Sequence, residues 1–282
     1  MTKVKERTMH IVFLVAACMS ILAVAMICLF MFANGVPAIR QIGFVNFIFG
    51  KTWMPGANKF GIFPMIIGSI YVTAGAIIIG VPIGLLCAVF MAKFCPPKLH
   101  KIMKPAVDLL AGIPSIVYGL FGMILFMTKL GWGLSLLSGA FTLAIMVLPV
   151  IMRTTEEALL AVPKSYREGS FGLGAGKLRT VFKVVLPSAV PGILSGVILA
   201  TGRIVGETAA LIYTAGSVPR IAKNLFSSTR TLSIHMYLLS KEGLHTDQAY
   251  ATAVVLLVFV VLINFASDAI AKKMSAKTEK DR

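Results

Sequence analysis

Charged residues are scarce in this chain. Lys, Arg, Asp and Glu make up 13% of its 282 residues, about half the share of an ordinary soluble domain, so most of the chain is not built to face water. Cysteine is scarce as well. Cys18, Cys28, Cys87 and Cys95 lie in or beside apolar runs and read as small packing residues, not as a disulfide framework. No Cys/His cluster has metal-ligand spacing, and His100, His235 and His245 each stand alone, so no metal or cofactor is expected. No nucleophile–base pair lies in or near the apolar runs, which excludes a membrane-embedded enzyme. Acidic residues number 11 against 27 Lys and Arg, for a net charge of +16. The basic residues cluster between apolar runs instead of forming one face, the arrangement of topology signals and not of a nucleic-acid surface.

Long apolar runs are abundant. A spanning helix needs about 20 mostly apolar residues, and the chain offers Ile11–Ala33, Pro64–Ala92, Pro105–Thr128, Leu134–Met152, Ser188–Thr214 and Gln248–Ile270. Their length and lack of period-2 alternation exclude strands. The expected fold is therefore all-α, a polytopic membrane protein with six transmembrane helices. Val15-Ala16-Ala17-Cys18 resembles a lipoprotein cleavage site, but the run continues to Ala33, which favours an uncleaved first span. With the N-terminus inside, the cytoplasmic segments carry 18 Lys and Arg and the outer ones 8, so both termini are expected in the cytoplasm of a multi-pass cell-membrane protein. Three regions follow: an N-terminal helix and outer loop (1–63), a core (64–270) and a basic cytoplasmic tail (271–282).

Between the fourth and fifth runs lies a glycine-rich basic stretch, REGSFGLGAGKLRTVFKVVLP, from Arg167 to Pro187. It fails as a phosphate-binding loop. Phe171 stands where the first Gly of a P-loop is required, Leu178 stands where Ser or Thr is required, and no strand precedes. Phe171, Leu173, Leu178, Val181 and Phe182 supply an apolar side at roughly helical spacing, and the small residues among them let another surface approach the backbone. A docking surface for a partner is the expectation.

Glu168-Gly169-Ser170, three residues, Gly174, nine residues and Val184-Val185-Leu186-Pro187 resemble the EAA loop of ABC importer permeases. The pattern there is Glu-Ala-Ala, three residues, Gly, nine residues, Ile-x-Leu-Pro. Glu168, Gly174, Leu186 and Pro187 match, while Gly169, Ser170 and Val184 depart from it. The resemblance implies short coupling helices seated in a cleft of a separate ATPase subunit, whose ATP-driven closure rocks the spans. This chain would then have no nucleotide site and no catalytic residues of its own.

The fifth run holds Gly202-Arg203-Ile204-Val205-Gly206-Glu207-Thr208. Charges inside a membrane are expensive and usually line a cavity or pathway. Four positions apart on one helix, Arg203 and Glu207 would share a face and could pair. Two readings stay open, a structural ion pair or an anion pathway in which the guanidinium grips oxyanion oxygens. Gly-Arg-x-x-Gly-Glu-Thr-Ala and the stretch Leu110–Gly122 resemble the phosphate-importer branch of the family. Thr231–Tyr237 and Ala249-Tyr250-Ala251 resemble its PstA type more than its PstC type. The resemblance implies a PstC-like second permease, two copies of a PstB-like ATPase, a PstS-like extracytoplasmic phosphate-binding protein and membrane lipid as partners. Sulfate and molybdate permeases share the loop, so the oxyanion stays open between these and phosphate. A channel or secondary transporter would not need such a loop.

Three Gly-x-x-x-Gly pairs, Gly80/Gly84, Gly192/Gly196 and Gly202/Gly206, favour close helix approach. Pro82, Pro114, Pro149 and Pro191 can kink spans. Asp108 is expected to pair with Lys101 or Lys104.

Overall fold

The computed structural model describes the backbone of residues 2–280 and the side chains of 5–273. Lys3 and much of the basic tail, both used above for orientation, lie outside the described side chains. The chain is almost wholly helical. Helix α1 (Thr2–Ile42) outruns the expected first span, and its apolar side chains from Met9 to Phe30 stay largely uncovered. Its 41 residues extend about 60 Å, twice the hydrocarbon thickness. The short helix α2 (Phe44–Phe49) and a two-stranded ribbon, β1 (Trp53–Met54) against β2 (Lys59–Phe60), fill the segment before the core.

Helix α3 (Phe63–Val89) and helix α6 (Leu136–Ala161) form the most extensive seam. The glycines explain it. A Cβ on Gly84 would lie 2.8 Å from the Ile151 side chain, and one on Gly80 would reach 3.4 Å from Ala144. Helix α9 (Leu186–Val205) meets α6 in the same way, with Gly192 over Ala158 and Gly196 over Thr154. Val72, Leu143, Met146, Val147, Ile151, Ala200 and Ile204 fill the core between these three helices. Pro82, Pro149 and Pro191 sit inside α3, α6 and α9 without ending them. Helix α12 (Thr246–Lys280) packs along α1 and α9.

Five helices are long and apolar enough to cross a membrane, and one bent pair makes a sixth candidate. That pair corrects the expected third span. Helix α4 (Pro97–Ala111) and helix α5 (Ser115–Gly122), which runs on through a wide π turn to Lys129, meet at 98°. Gly112-Ile113-Pro114 makes the break. Pro114 has no N–H to continue a helix, and the residue before a proline is driven to extended backbone. Tyr118 bridges the break, its hydroxyl donating to the Leu110 carbonyl at 2.7 Å.

The fifth span is corrected as well. The helical rod begins at Lys177, with α8 (Lys177–Thr180) and a π turn over Val181–Val185 leading into α9, and it ends at Val205. Gly206 follows as its cap, and a separate helix, α10 (Ala209–Ile212), comes after. Helix α7 (Lys164–Gly172) precedes the rod, and α11 (Leu232–Glu242) lies before α12.

Candidate functional site

The Glu168–Pro187 stretch folds as one short helix, a tight glycine turn and the start of the rod. Helix α7 ends in a Schellman cap. The Ala175 N–H donates to the Ser170 carbonyl at 3.1 Å and the Gly174 N–H to Phe171 at 2.9 Å, which places Gly174 at the left-handed position with φ +79°. Glycine is needed there for backbone reasons, since nothing lies within 4 Å of where its Cβ would be. Ser170 and Thr180 exchange a hydroxyl hydrogen bond of 2.9 Å, which ties the end of α7 to α8. Glu168 and Gly169 are exposed on α7. Leu186 and Pro187 open α9, and Leu186 packs on a small core of Val89, Leu159, Val181, Val185, Ala189 and Ile193.

The expected apolar side divides. Val181 is buried in that core, whereas Phe171, Leu178 and Phe182 are exposed and Leu173 is 91% exposed. Beside them runs an open groove of about 500 Å³ lined by Tyr166, Gly169, Ser170, Leu173, Gly174 and Arg179. Exposed leucines and phenylalanine around a groove and a basic rim form a surface suited to a protein partner.

Arg203 and Glu207 do not share a helix face. Arg203 occupies the last turn of α9, exposed, where its charge complements the negative end of the helix dipole. Glu207 lies beyond the helix. Its Oε1 accepts the Ala210 N–H at 3.1 Å and so caps α10, and its main-chain carbonyl accepts the Ser233 hydroxyl at 2.7 Å. Among the described residues the two charges form no ion pair. Gly206 is the reason: it ends the helix between them, so the four-residue spacing no longer means one face. Gly119 of α5 packs directly on the Ala209–Ala210 backbone of α10, where a Cβ would come within 2.8 Å, so the broken third span lies against the end of the fifth.

Two histidines gain partners that sequence reading missed. His100 Nε2 lies 2.8 Å from Glu156 Oε1, linking α4 to α6 across 56 positions. His235 is fully buried, its Nδ1 3.2 Å from Arg230 Nη1 and its ring edge-on to Trp53. Burial, and then the Arg230 charge, push His235 down to about 3, so its ring is neutral at ordinary pH. Arg230 Nε donates to the Ser217 carbonyl at 2.6 Å. Burial holds Arg230 somewhat below its usual value, opposed by Glu242. His245 meets Phe60 edge-on. Arg230 and His235 are five positions apart, but no local spacing announces the pairing of His100 with Glu156 or of His235 with Trp53, which only the fold brings together. Asp108 forms no ion pair among the described residues, although it lines a small cavity with Lys104. Among the described residues no group of three His, Cys, Asp or Glu could hold a metal ion.

Residues 80–280 match the family described as binding-protein-dependent transport system inner membrane component. The probable ABC transporter permease protein YqgI of Bacillus subtilis is 35% identical over 269 residues, 89% of this chain and 90% of that protein. The phosphate transport system permease protein PstC of Mesorhizobium japonicum is 32% identical over 88% of this chain and 84% of its own length. The phosphate transport system permease protein PstA 1 of Mycobacterium tuberculosis (strain CDC 1551 / Oshkosh) is 33% identical over 73% of this chain and 69% of that protein. Among solved structures, a chain of the bacterial alginate ABC transporter in complex with its alginate-bound periplasmic protein superposes with a TM-score of 0.68, at 15% identity, over 93% of this chain and 95% of that one. That likeness shows a shared fold. The chain belongs to the binding-protein-dependent transport system inner membrane component family, as a membrane-embedded transport subunit whose ATP hydrolysis is done by a separate subunit.

Proposed function

We propose that the chain is the permease subunit of an ATP-driven phosphate importer, forming half of the translocation pathway and coupling it to the ATPase. The observation that carries this reading is similarity, over most of the chain, to permeases named for phosphate transport. Arg203 agrees with it. The guanidinium stands exposed on α9, and among the described residues no ion pair engages it, Glu207 included, so its donor fork is open to oxyanion oxygens. In this reading Arg203 lines the anion pathway, and Glu207 shapes α10 beside it.

Residues 64–270 form the permease core, 1–63 add a peripheral helix and outer segment, and 271–282 form a cytoplasmic tail. Both termini face the cytoplasm, which puts α7 and the Gly174 turn on the ATPase side. Glu168, Gly169, Ser170, Gly174, Leu186 and Pro187 make up the coupling element. The partners are a PstC-like second permease, two PstB-like ATPase copies and a PstS-like extracytoplasmic phosphate-binding protein. The two permease types are alike enough that PstC and PstA proteins both resemble this chain at similar identity, and the PstA-type assignment rests on the α11 and α12 motifs.

Reconstitution of the complete complex in liposomes tests the reading. Labelled phosphate should enter only with ATP and the binding protein, and excess sulfate or molybdate should leave uptake unchanged. Uptake without ATP, or displacement by sulfate or molybdate, would overturn it.

A further inference from the structure

Among the described residues Glu156 is the only buried carboxylate. A carboxylate out of water is costly unless it is paired and hydrogen-bonded. The cavity of about 140 Å³ beside it is lined by Lys104 and Asp108 of α4, by Arg153 and Glu157 of α6, and by Met91. Arg153 is turned to Glu157, with Nε 3.2 Å from Oε1. The group bonded to Glu156 is instead His100, at 2.8 Å, its Nε2–H donating to the carboxylate. Just beyond, Lys93 Nζ donates to the Leu159 carbonyl at 3.0 Å.

The position of this contact carries the inference. Glu156 lies five residues before the end of α6, about 8 Å along the axis, and α7 begins three residues after that end. Val162 and Pro163, both extended, join the two helices. Helix α7 also packs on the Val181–Val185 turn, whose Val181 and Val185 share a core with Leu159 of α6. A displacement of α7 therefore reaches the Glu156 turn through this short link and that core. Helix α4 has the opposite character. None of its residues is buried, and a 98° break separates it from α5. Its outer face carries Ile102 and Leu109, 71% and 75% exposed. Among the described residues, the side-chain hydrogen bond that ties α4 to α6 is His100 to Glu156.

We propose that His100 and Glu156 form a strut that makes α4, the inner arm of the broken span, move with α6 and the coupling helix. His100 is then a positioning residue for transport: it touches neither substrate nor nucleotide, and carries motion from the ATPase side to the pathway. This rests on the reading of the chain as an ATP-driven permease.

Two readouts on the complete complex test it. In a background with the four native cysteines replaced, spin labels at Ile102→Cys and Leu160→Cys report the α4–α6 separation without nucleotide and with ATP and vanadate. The strut requires that this separation stay the same in the parent complex and change with nucleotide in His100→Ala. Phosphate moved per ATP hydrolysed should fall about tenfold in His100→Ala and His100→Glu, within the usual range of coupling between sites. It should recover most of the way in His100→Glu/Glu156→His, which rebuilds the contact from opposite ends. An α4–α6 separation that already changes in the parent, or an unchanged uptake ratio in His100→Ala, would overturn the strut. So would loss of assembly in the single variants, since the contact would then hold the fold and not carry motion. If the wild-type complex moves no phosphate, the functional reading fails while the label measurement still decides the strut.

Discussion

Gly174 separates two explanations of the coupling loop, backbone strain and lack of space. At φ +79° an L-residue with a Cβ costs about 1–2 kcal/mol relative to right-handed backbone, and nothing in the chain stands within 4 Å to add a clash. The cost falls on the cap that ends α7, a helix of nine residues, too short to persist by itself in water. At about 1.4 kcal/mol per tenfold, Gly174→Ala lowers the capped fraction relative to the frayed one by about 5- to 30-fold. Asn visits left-handed backbone far more readily, so Gly174→Asn should lose much less. Gly174→Leu carries the Ala strain plus whatever volume the ATPase cleft refuses. The expected order of ATPase copurification and uptake is Gly, then Asn, then Ala, then Leu. If Asn is as damaging as Ala, strain is not the reason for glycine here. If Leu matches Ala, the partner surface does not close over this turn.

At the α3–α6 seam, Gly84→Ala should destabilise by about 1–3 kcal/mol, because its Cβ would press within 2.8 Å of Ile151. Gly80→Ala, with 3.4 Å of clearance, should be close to neutral, and unfolding temperatures in detergent compare the two. For His235, held at about 3 in the folded protein, the unfolded chain binds the extra proton between about pH 3 and 6.5. Stability should therefore fall as pH drops below 6.5, by at most about 1.4 kcal/mol per unit, and stay flat above. His235→Phe, compared over the same range, should lose that part of the slope. Arg203→Gln should leave assembly intact and cut phosphate uptake about 10- to 100-fold, the worth of a lost charged hydrogen bond, with Arg203→Lys recovering part. Glu207→Gln keeps the oxygen that caps α10 and should fold normally, and it should not rescue Arg203→Gln, because the two groups are not partners.

Much of this was legible in the sequence because membrane burial acts locally. Twenty apolar residues in a row commit a segment to helix, since no water is present to satisfy an exposed backbone. Six such runs and the basic clusters between them define the class of protein and an expected orientation. The Glu168–Pro187 spacing is similarly local, as a helix, its glycine cap and the next helix are set by residues within twenty positions. The glycine pairs announced close packing, and α3, α6 and α9 use two of them against one another.

What tertiary structure decided are the interruptions and the long-range pairs. Gly112–Pro114 turns one expected span into two arms at 98°, and Gly206 ends α9 before Glu207, so a four-residue spacing stopped meaning a shared face. Hydropathy averages over a window and does not register a single residue that breaks the helix. His100 and Glu156 are 56 positions apart, and a histidine's partner across such a distance depends on how two helices cross. The sequence by itself determined which segments leave water. Which polar groups meet once those segments pack was left to the fold, because that depends on helix crossing and rotation, quantities that no single segment contains.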